Sequence, residues 1–275
     1  MVIYEFDTCY EQQTFYREKN PLKVDFTALE GVNGYCDEEA AAHILEVSGR
    51  NDSTLAFLGN GNFHYMSYLL LHKIKQDFSL LVLDHHPDMQ PSFLEELLSC
   101  GCWIKHALEK LPFLREVAVM GVKRELLEKL AVTDGFYFCG KEQGVYRYRK
   151  EGKNITCIEE SFFSGDPHKD KEWCRKLEEL LKRSLLHPIY LSVDKDVLAE
   201  RDCITNWDAG SMTLETMLAV LDFAAKQQPV LGMDVCGEWD GRESTITESP
   251  GKIISRNNRC NGKLAEWWDT LRRSE

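Results

Sequence analysis

Short apolar runs alternate with longer amphipathic stretches along most of the chain, and this alternation predicts its secondary structure. Apolar runs of strand length cover residues 2–6, 54–58, 80–84, 116–121, 135–139, 189–194 and 230–235. Stretches that favour helix cover residues 38–46, 68–74, 91–99, 124–131, 170–186, 214–226 and 263–272. Strands that alternate with helices form a parallel sheet with helices on both of its faces. The pattern therefore predicts an α/β fold.

Two segments lack such periodicity. Residues 141–153 are rich in charge, which predicts a solvated hairpin or loop. Residues 197–211 directly follow a predicted strand that ends in carboxylates, so we expect an active-site loop there rather than a merely long connection. No stretch of the 275 residues resembles a flexible linker, and the length suits one large α/β domain.

The ends of two predicted strands carry acidic and imidazole side chains. One strand runs into an Asp-His-His-Pro-Asp sequence, and residues two apart on an extended segment face the same way. Asp84, His86 and Asp88 are therefore expected on one face. A second strand ends at Asp194 and Asp196 with the same spacing. Because the carboxyl ends of parallel strands line the ligand-binding crevice of α/β folds, we expect both groups to meet there.

Composition and charge narrow the class of protein. A hydrophobic content of 43% with 28% charged residues is globular, and a net charge of -12 argues against a nucleic-acid surface while being compatible with a cationic substrate. The chain has no apolar stretch near the ~20 residues of a membrane span and no basic start of a signal peptide. We therefore expect a cytoplasmic protein. Its ten cysteines are scattered without C-x-x-C spacing, which favours reduced, mostly buried thiols.

The converging carboxylates point to metal ions. Four aspartates at one place cannot all stay ionised without a cation, because like charges in a partly buried site raise one another's pKa. Two divalent ions would match their four negative charges, and His64, in a glycine-rich turn, would join His86 in a ligand set of nitrogen and oxygen. Since no thiolate belongs to this set, Mn²⁺ is favoured over structural zinc, and Fe²⁺, Co²⁺ or Ni²⁺ would also fit.

These motifs resemble those of the ureohydrolase family, which contains the arginases, agmatinases and formimidoylglutamases. The family's glycine-rich loop with a histidine, its Asp-x-His-x-Asp strand end and its Ser-x-Asp-x-Asp strand end match residues 59–64, 84–88 and 192–196, in the family's order. The resemblance implies a three-layer αβα fold with a mostly parallel sheet, as a single arginase-like α/β domain over residues 1–275. It also implies an agmatinase-like hydrolase that cleaves a C–N bond of a guanidino or amidino substrate.

The resemblance further implies the role of each ligand around two Mn²⁺ ions. One ion would be held by His64, Asp84, Asp88 and Asp194, and the other by Asp84, His86, Asp194 and Asp196. Asp84 and Asp194 would bridge the two ions. Two such ions can lower the pKa of a shared water and hold it against a planar carbon. Asp88 would hydrogen-bond the nucleophile and pass its proton to the departing amine.

The residues that would recognise the substrate differ from the family's pattern. The family's substrate-binding Glu would fall at Gly237, so we take Glu238, one residue later, as the candidate catalytic-site residue for the cationic group. Cys100 stands where the family has a His, and the loop after Asp196 differs throughout. We therefore expect a substrate other than free arginine, with Glu238 or a carboxylate of residues 197–211 binding its cationic end.

Several alternatives remain open at this point. Trp103 and Trp207 would either line the pocket or belong to the core. The His85-His86 pair also suggests a deacetylase-like amide hydrolase with one zinc. A further alternative is a catalytically inactive arginase-fold binding protein. The expected partner is a small cationic substrate, without nucleic acid or membrane, and a homo-oligomer is compatible with these features. The other histidines are expected to be structural or exposed: His43, His72, His106, His168 and His187.

Overall fold

The computed structural model describes residues 1–91, 97–242 and 247–274. Its strands are β1 Val2–Glu5, β2 Leu22–Asp25, β3 Tyr35–Cys36, β4 Leu55–Phe57, β5 Phe78–Leu83, β6 Leu98–Ser99, β7 Leu114–Val122, β8 Tyr137–Glu142, β9 Val145–Lys150, β10 Lys153–Glu159, β11 Ile189–Asp194 and β12 Val230–Cys236. Its helices are α1 Glu38–Ser48, α2 Met66–Leu71, α3 Trp103–Lys110, α4 Arg124–Leu130, α5 Lys171–Ser184, α6 Leu214–Gln227 and α7 Pro250–Ser274.

Ten strands form one sheet in the order β2-β1-β4-β12-β11-β5-β7-β10-β9-β8. The pairs from β2 to β10 are parallel, and β9 and β8 extend the sheet as antiparallel strands at one edge. Side chains of α1, α2, α3 and α4 share one hydrophobic cluster with the sheet, and those of α5, α6 and α7 share a second. The chain thus has the predicted three-layer αβα architecture with a mostly parallel sheet.

The four central strands end at the same level. β11 lies between β5 and β12, with Val193 paired to Leu83 and Asp194 paired to Cys236, and β12 pairs with β4. Every residue of β5 and β11 is buried, because helices cover both faces of a parallel sheet and favour continuous apolar runs. Polar residues that follow these strands are therefore brought together at one edge.

Several predicted elements differ from the structure. In place of the helix predicted over 91–99, residues 98–99 form β6, while residues 92–96 lie outside the described part of the chain. The strand predicted at 135–139 is shifted to β8, and the charged segment 141–153 supplies its hairpin partner β9. The periodicity of the sequence did not predict β2, α3 or β10. These elements are short, amphipathic or charged, so none of them forms a continuous apolar run.

The last helix, α7, begins at Pro250 rather than at residue 263. Asn257 and Asn261 are buried on its core-facing side, where a periodicity argument expects apolar residues, so the first half of the helix carries no clear hydrophobic stripe. Within the described residues, no helix combines the length and the apolar character that crossing a membrane requires.

Candidate metal centre

The six residues predicted as metal ligands line one cavity of about 140 Å³ at the carboxyl ends of β5 and β11. His64 follows a short 3-10 turn after β4, and the two carboxylate groups follow β5 and β11. His64, Asp84, Asp88, Asp194 and Asp196 are at most 5% exposed. The side chains expected at the strand ends are therefore brought together, although residues 84–88 form bends beyond β5 rather than the extended segment expected from the sequence, and Asp88 has a φ of 47°.

The centre has two halves, and the first surrounds His64. Its Nδ1 atom lies 3.0 Å from Asp88 Oδ2, 3.2 Å from Asp84 Oδ2 and 3.5 Å from Asp194 Oδ2. Asp84 Oδ2 is buried and accepts no hydrogen bond from the described part of the chain. Three carboxylate oxygens thus converge on one imidazole nitrogen, and a proton or a metal ion must lie between them to offset their repulsion.

The second half surrounds His86. Its Nδ1 atom lies 2.8 Å from Asp196 Oδ2 and 3.6 Å from Asp84 Oδ1. Asp84 therefore presents one oxygen to each half, as expected of a bridging ligand. Asp194 Oδ2 faces the first half, while its Oδ1 accepts a hydrogen bond from the backbone N–H of Asp196 at 3.0 Å.

A hydrogen-bond chain behind His64 orients its ring. Ser192 Oγ and Ser67 Oγ donate to Asp234 Oδ1 at 2.8 and 2.9 Å, and Ser192 Oγ lies 2.9 Å from His64 Nε2. Because the Ser192 hydroxyl donates to Asp234, it accepts the Nε2–H of His64, which leaves Nδ1 directed at the carboxylates. Such outer partners fix the orientation of metal-binding histidines. Asp234 was not among the residues predicted for the site; its signal in the sequence is an aspartate inside an otherwise apolar strand.

The pKa values of the carboxyls reflect this crowding. Burial, followed by the charge of Asp84, raises the pKa of Asp88 to about 7. Burial also raises the pKa of Asp194 and of Asp196. Burial disfavours the charged form of the histidines as well, yet Asp196 and Asp84 outweigh it and raise the pKa of His86 to about 12. The set of imidazole nitrogens and carboxylate oxygens, with an unpaired buried oxygen among them, fits divalent metal ions.

The stability of the metal-free protein is expected to fall as the pH rises from about 4 to about 7. Over this range the folded chain keeps a proton on Asp88, and burial shifts the pKa values of Asp194 and Asp196 in the same direction, whereas the unfolded chain, with carboxyl pKa values of about 3.9, releases these protons. The state that binds more protons loses stability as protons are withdrawn. Thermal melts across this interval check the prediction, and saturating Mn²⁺ should remove the decline. A metal-free melting temperature that climbs with pH would contradict it.

The two tryptophans have different roles. Trp103 is fully buried, and its indole Nε1–H donates to Asp88 Oδ2 at 2.6 Å. Asp88 itself has a positive φ of 47°, a conformation that Asp tolerates better than most residues. Trp207 is 39% exposed, lines the cavity and donates from Nε1 to Asn62 Oδ1 at 3.2 Å. Trp103 therefore belongs to the core and holds Asp88, while Trp207 forms a wall of the cavity.

The loop at 197–211 reaches the centre through Asp208. Its Oδ1 lies 3.0 Å from His86 Nε2, and its Oδ2 accepts a hydrogen bond from Lys123 Nζ at 3.0 Å. Cys100 also lines the cavity, whereas His85 lies against Gly121 on the other side of the strand end. The loop thus contributes a carboxylate to the site, as expected from its position after the second strand.

The structure contradicts the prediction that Glu238 binds the cationic end of a substrate. Its side chain is fully buried, outside the cavity, and forms an ion pair with Lys195. It also accepts hydrogen bonds from Gln13 and Asn257, both at 3.0 Å, and from Asn261 at 2.5 Å. Lys195 lies between the two ligand aspartates in sequence but points to the opposite side, where its buried charge requires a counter-ion.

The preceding residue has no room for a side chain. Gly237 has a φ of 82°, and a Cβ atom there would lie 2.3 Å from Asp194 Oδ1. Any glutamate at this position would displace the Asp194 turn. The close approach therefore explains why this chain has a glycine at the position where the ureohydrolase family has a Glu.

Comparisons with known proteins agree with this architecture. No protein-family model matches the chain. It is 32% identical over 254 residues to an uncharacterized protein of Thermotoga maritima, covering 91% of this chain and 85% of that one. Its structure is similar to proclavaminate amidino hydrolase from Streptomyces clavuligerus (TM-score 0.60, 16% identity, 92% of this chain and 77% of that chain). It is also similar to arginase from Bacillus cereus (TM-score 0.59, 13% identity, 96% of each chain) and to Trypanosoma cruzi formiminoglutamase solved with Mn²⁺ (TM-score 0.57, 13% identity, 97% of this chain and 92% of that chain).

Proposed function

Because the chain belongs to one family with the uncharacterized Thermotoga maritima protein and has the ureohydrolase fold, we propose that it is a metal-dependent hydrolase of C–N bonds in linear amidines. The arrangement around His64 carries the proposal. Its Nδ1 faces three carboxylates within 3.5 Å, and one of their oxygens is buried without a hydrogen bond. Two divalent ions would be held by the six residues that line the cavity, with Asp84 shared between them.

The chain's own groups would position the reactants and move one proton. Bound divalent ions would supply Lewis-acid chemistry that lowers the pKa of a water and polarises the amidine carbon. Ser192 and Asp234 would keep His64 in a fixed orientation. The Trp103 indole N–H holds Asp88 Oδ2, so the other carboxylate oxygen, Oδ1, would take a proton from the attacking water and return it to the departing amine nitrogen.

The cavity lining supports a planar cationic head group. The indole of Trp207 forms one wall, and an indole face attracts a planar cation. Asp208 adds a carboxylate beside His86. A cleft of about 990 Å³, lined by residues between 200 and 209 and between 247 and 256, shares Trp207 with the cavity. The rest of the substrate would lie in this cleft, which suits a molecule larger than arginine.

A reconstitution experiment tests the proposal. Metal-depleted protein is loaded with Mn²⁺, Co²⁺, Fe²⁺ or Zn²⁺, the bound ions are counted, and urea and ammonia release is measured over a panel of guanidino and amidino compounds. We expect two ions per chain and turnover of at least one compound. One ion per chain with cleavage of an acetyl-lysine peptide would instead favour a deacetylase-like amide hydrolase. Two ions without turnover of any compound would contradict the enzyme and favour a binding protein.

Free L-arginine is expected to be a poor substrate, with kcat/KM lower than that of the best compound by on the order of 10²-fold or more. Recognition of an α-amino acid needs several placed polar groups, and a site that lacks them leaves the buried polar groups of the ligand unpaired. Here Cys100 and the indole of Trp207 line the cavity. Steady-state urea release from arginine and from the active compounds checks this, and equal efficiency for arginine would show the expectation to be wrong.

A further inference from the structure

A buried thiol belongs to the first half of the metal centre. Cys236 is the last residue of β12 and is paired in register with Asp194 of β11. Its side chain is fully buried, and its Sγ donates a hydrogen bond to Asp194 Oδ2 at 3.2 Å. The ligand atoms of His64, Asp194 and Cys236 all lie within 4.8 Å of one another. This thiol therefore lies close enough to His64 and Asp194 for one ion to contact all three.

Cys236 belongs to the hydrophobic cluster on the α1–α4 side of the sheet, but its Sγ also contacts the polar groups of the centre. Its hydrogen-bond acceptor, Asp194 Oδ2, is the same oxygen that lies 3.5 Å from His64 Nδ1. Asp84 Oδ2, in the same half, is buried without a hydrogen-bond partner and lies 3.2 Å from that nitrogen. A cation between His64, Asp194 and Cys236 would have an imidazole nitrogen, a carboxylate oxygen and a sulfur atom within reach.

We propose that Cys236 is a thiolate ligand of the ion in the His64 half, which therefore prefers Zn²⁺ or Co²⁺ to Mn²⁺. Thiolate ligands favour zinc and related ions, whereas sites of carboxylate and imidazole suit manganese. As the sulfur–metal bond forms, the thiol proton passes to solvent and no electron is transferred. The second half, around His86, Asp196 and Asp208, offers nitrogen and oxygen alone among the described residues and suits Mn²⁺.

This inference rests on the metal centre of the proposed function and revises one of its premises. The preference for manganese drawn from the sequence assumed a ligand set without thiolate. The strand order of the sheet places β12 next to β11, and so brings the thiol to the carboxylates. The two halves would then differ in metal preference, and the loaded protein would hold one ion of each kind.

Spectroscopy of the Co²⁺-loaded protein tests the thiolate ligand directly. Metal-depleted wild type is titrated with Co²⁺, and a near-ultraviolet sulfur-to-cobalt charge-transfer band is expected to rise to saturation at one equivalent. Cys236→Val should lose this band while still binding Co²⁺. Cys157→Val is the matched control, because Cys157 is also fully buried but lies in β10, outside the metal-binding groups. It should keep the band.

Selectivity is measured by equilibrium dialysis against equal concentrations of Zn²⁺ and Mn²⁺, followed by metal analysis. Wild type should retain one Zn²⁺ per chain, and Cys236→Val should lower the Zn²⁺ preference by at least about tenfold. If that variant does not fold, zinc-edge X-ray absorption of Cys100→Ser decides, since a ligand sulfur lies at about 2.3 Å from zinc and, among the described residues, Cys100 is the thiol that lines the cavity. Two bound ions with no charge-transfer band and no sulfur scatterer would overturn this proposal alone. Failure to bind any divalent ion would overturn the proposed function as well.

Discussion

Asp84→Asn is expected to abolish metal-dependent turnover and the thermal stabilisation that divalent ions give the wild type. Asp84 presents Oδ2 to His64 and Oδ1 to His86, so both halves of the centre lose an anionic ligand at once. Binding to the folded state at about 100-fold saturation adds about 2.7 kcal/mol per site. For a chain of this size that gain corresponds to roughly 5 °C or more in melting temperature, measured with and without Mn²⁺.

The same variant separates a metal ligand from a merely structural aspartate. In the metal-free protein, Asp84→Asn removes one of several crowded negative charges and keeps an oxygen for the backbone N–H of His86, which Asp84 Oδ1 accepts at 2.6 Å. Burial disfavours the charged form of Asp84, but His64 and His86 outweigh it and lower its pKa, so the metal-free melting temperature should fall modestly. Asp208→Asn is the matched control, because Asp208 touches the outer nitrogen of His86 and should weaken metal binding only modestly. A stabilisation by Mn²⁺ in Asp84→Asn equal to that of the wild type would contradict its role as a ligand.

Glu238→Gln is expected to destabilise the protein by about 3–5 kcal/mol, because it leaves the buried ammonium of Lys195 without its counter-ion. Both side chains are fully buried, and burial would otherwise disfavour the lysine charge. The network also joins Gln13 near the amino terminus to Asn257 and Asn261 of α7, so the loss should loosen contacts between distant parts of the chain. Denaturant unfolding of the metal-free protein measures the change in the free energy of unfolding.

Two further variants make this prediction specific. Glu179→Gln removes a carboxylate that pairs with Arg175 on the exposed side of α5, and exposed pairs contribute only about 0–1 kcal/mol. The double variant Lys195→Met/Glu238→Gln removes the buried charge together with its partner and should recover much of the stability. If Glu238→Gln instead kept full stability and raised KM several-fold, Glu238 would belong to the substrate site after all.

The strands that lead into the candidate metal centre were predictable because their signal is local. β11 matches the predicted strand from Ile189 to Asp194, and β5 begins two residues earlier than predicted, at Phe78. Both are continuous apolar runs, as expected of strands covered on both faces. The N-terminal β2 and the first half of α7 were not predictable in this way, since one is a mostly exposed edge strand and the other buries two asparagines.

The sequence by itself determined which residues stand at the strand ends, because β5 and β11 are continuous apolar runs that stop beside Asp84 and at Asp194. The tertiary structure alone decided which other side chains contact these residues. Glu238 pairs with Lys195, 43 residues away, and Cys236 joins Asp194 because β12 lies beside β11 in matching register. Strand order and register arise from the packing of the whole chain, so no local pattern contains them. For that reason the carboxylates of the candidate metal centre could be predicted from the sequence, whereas the buried ion pair and the thiol beside them required the fold.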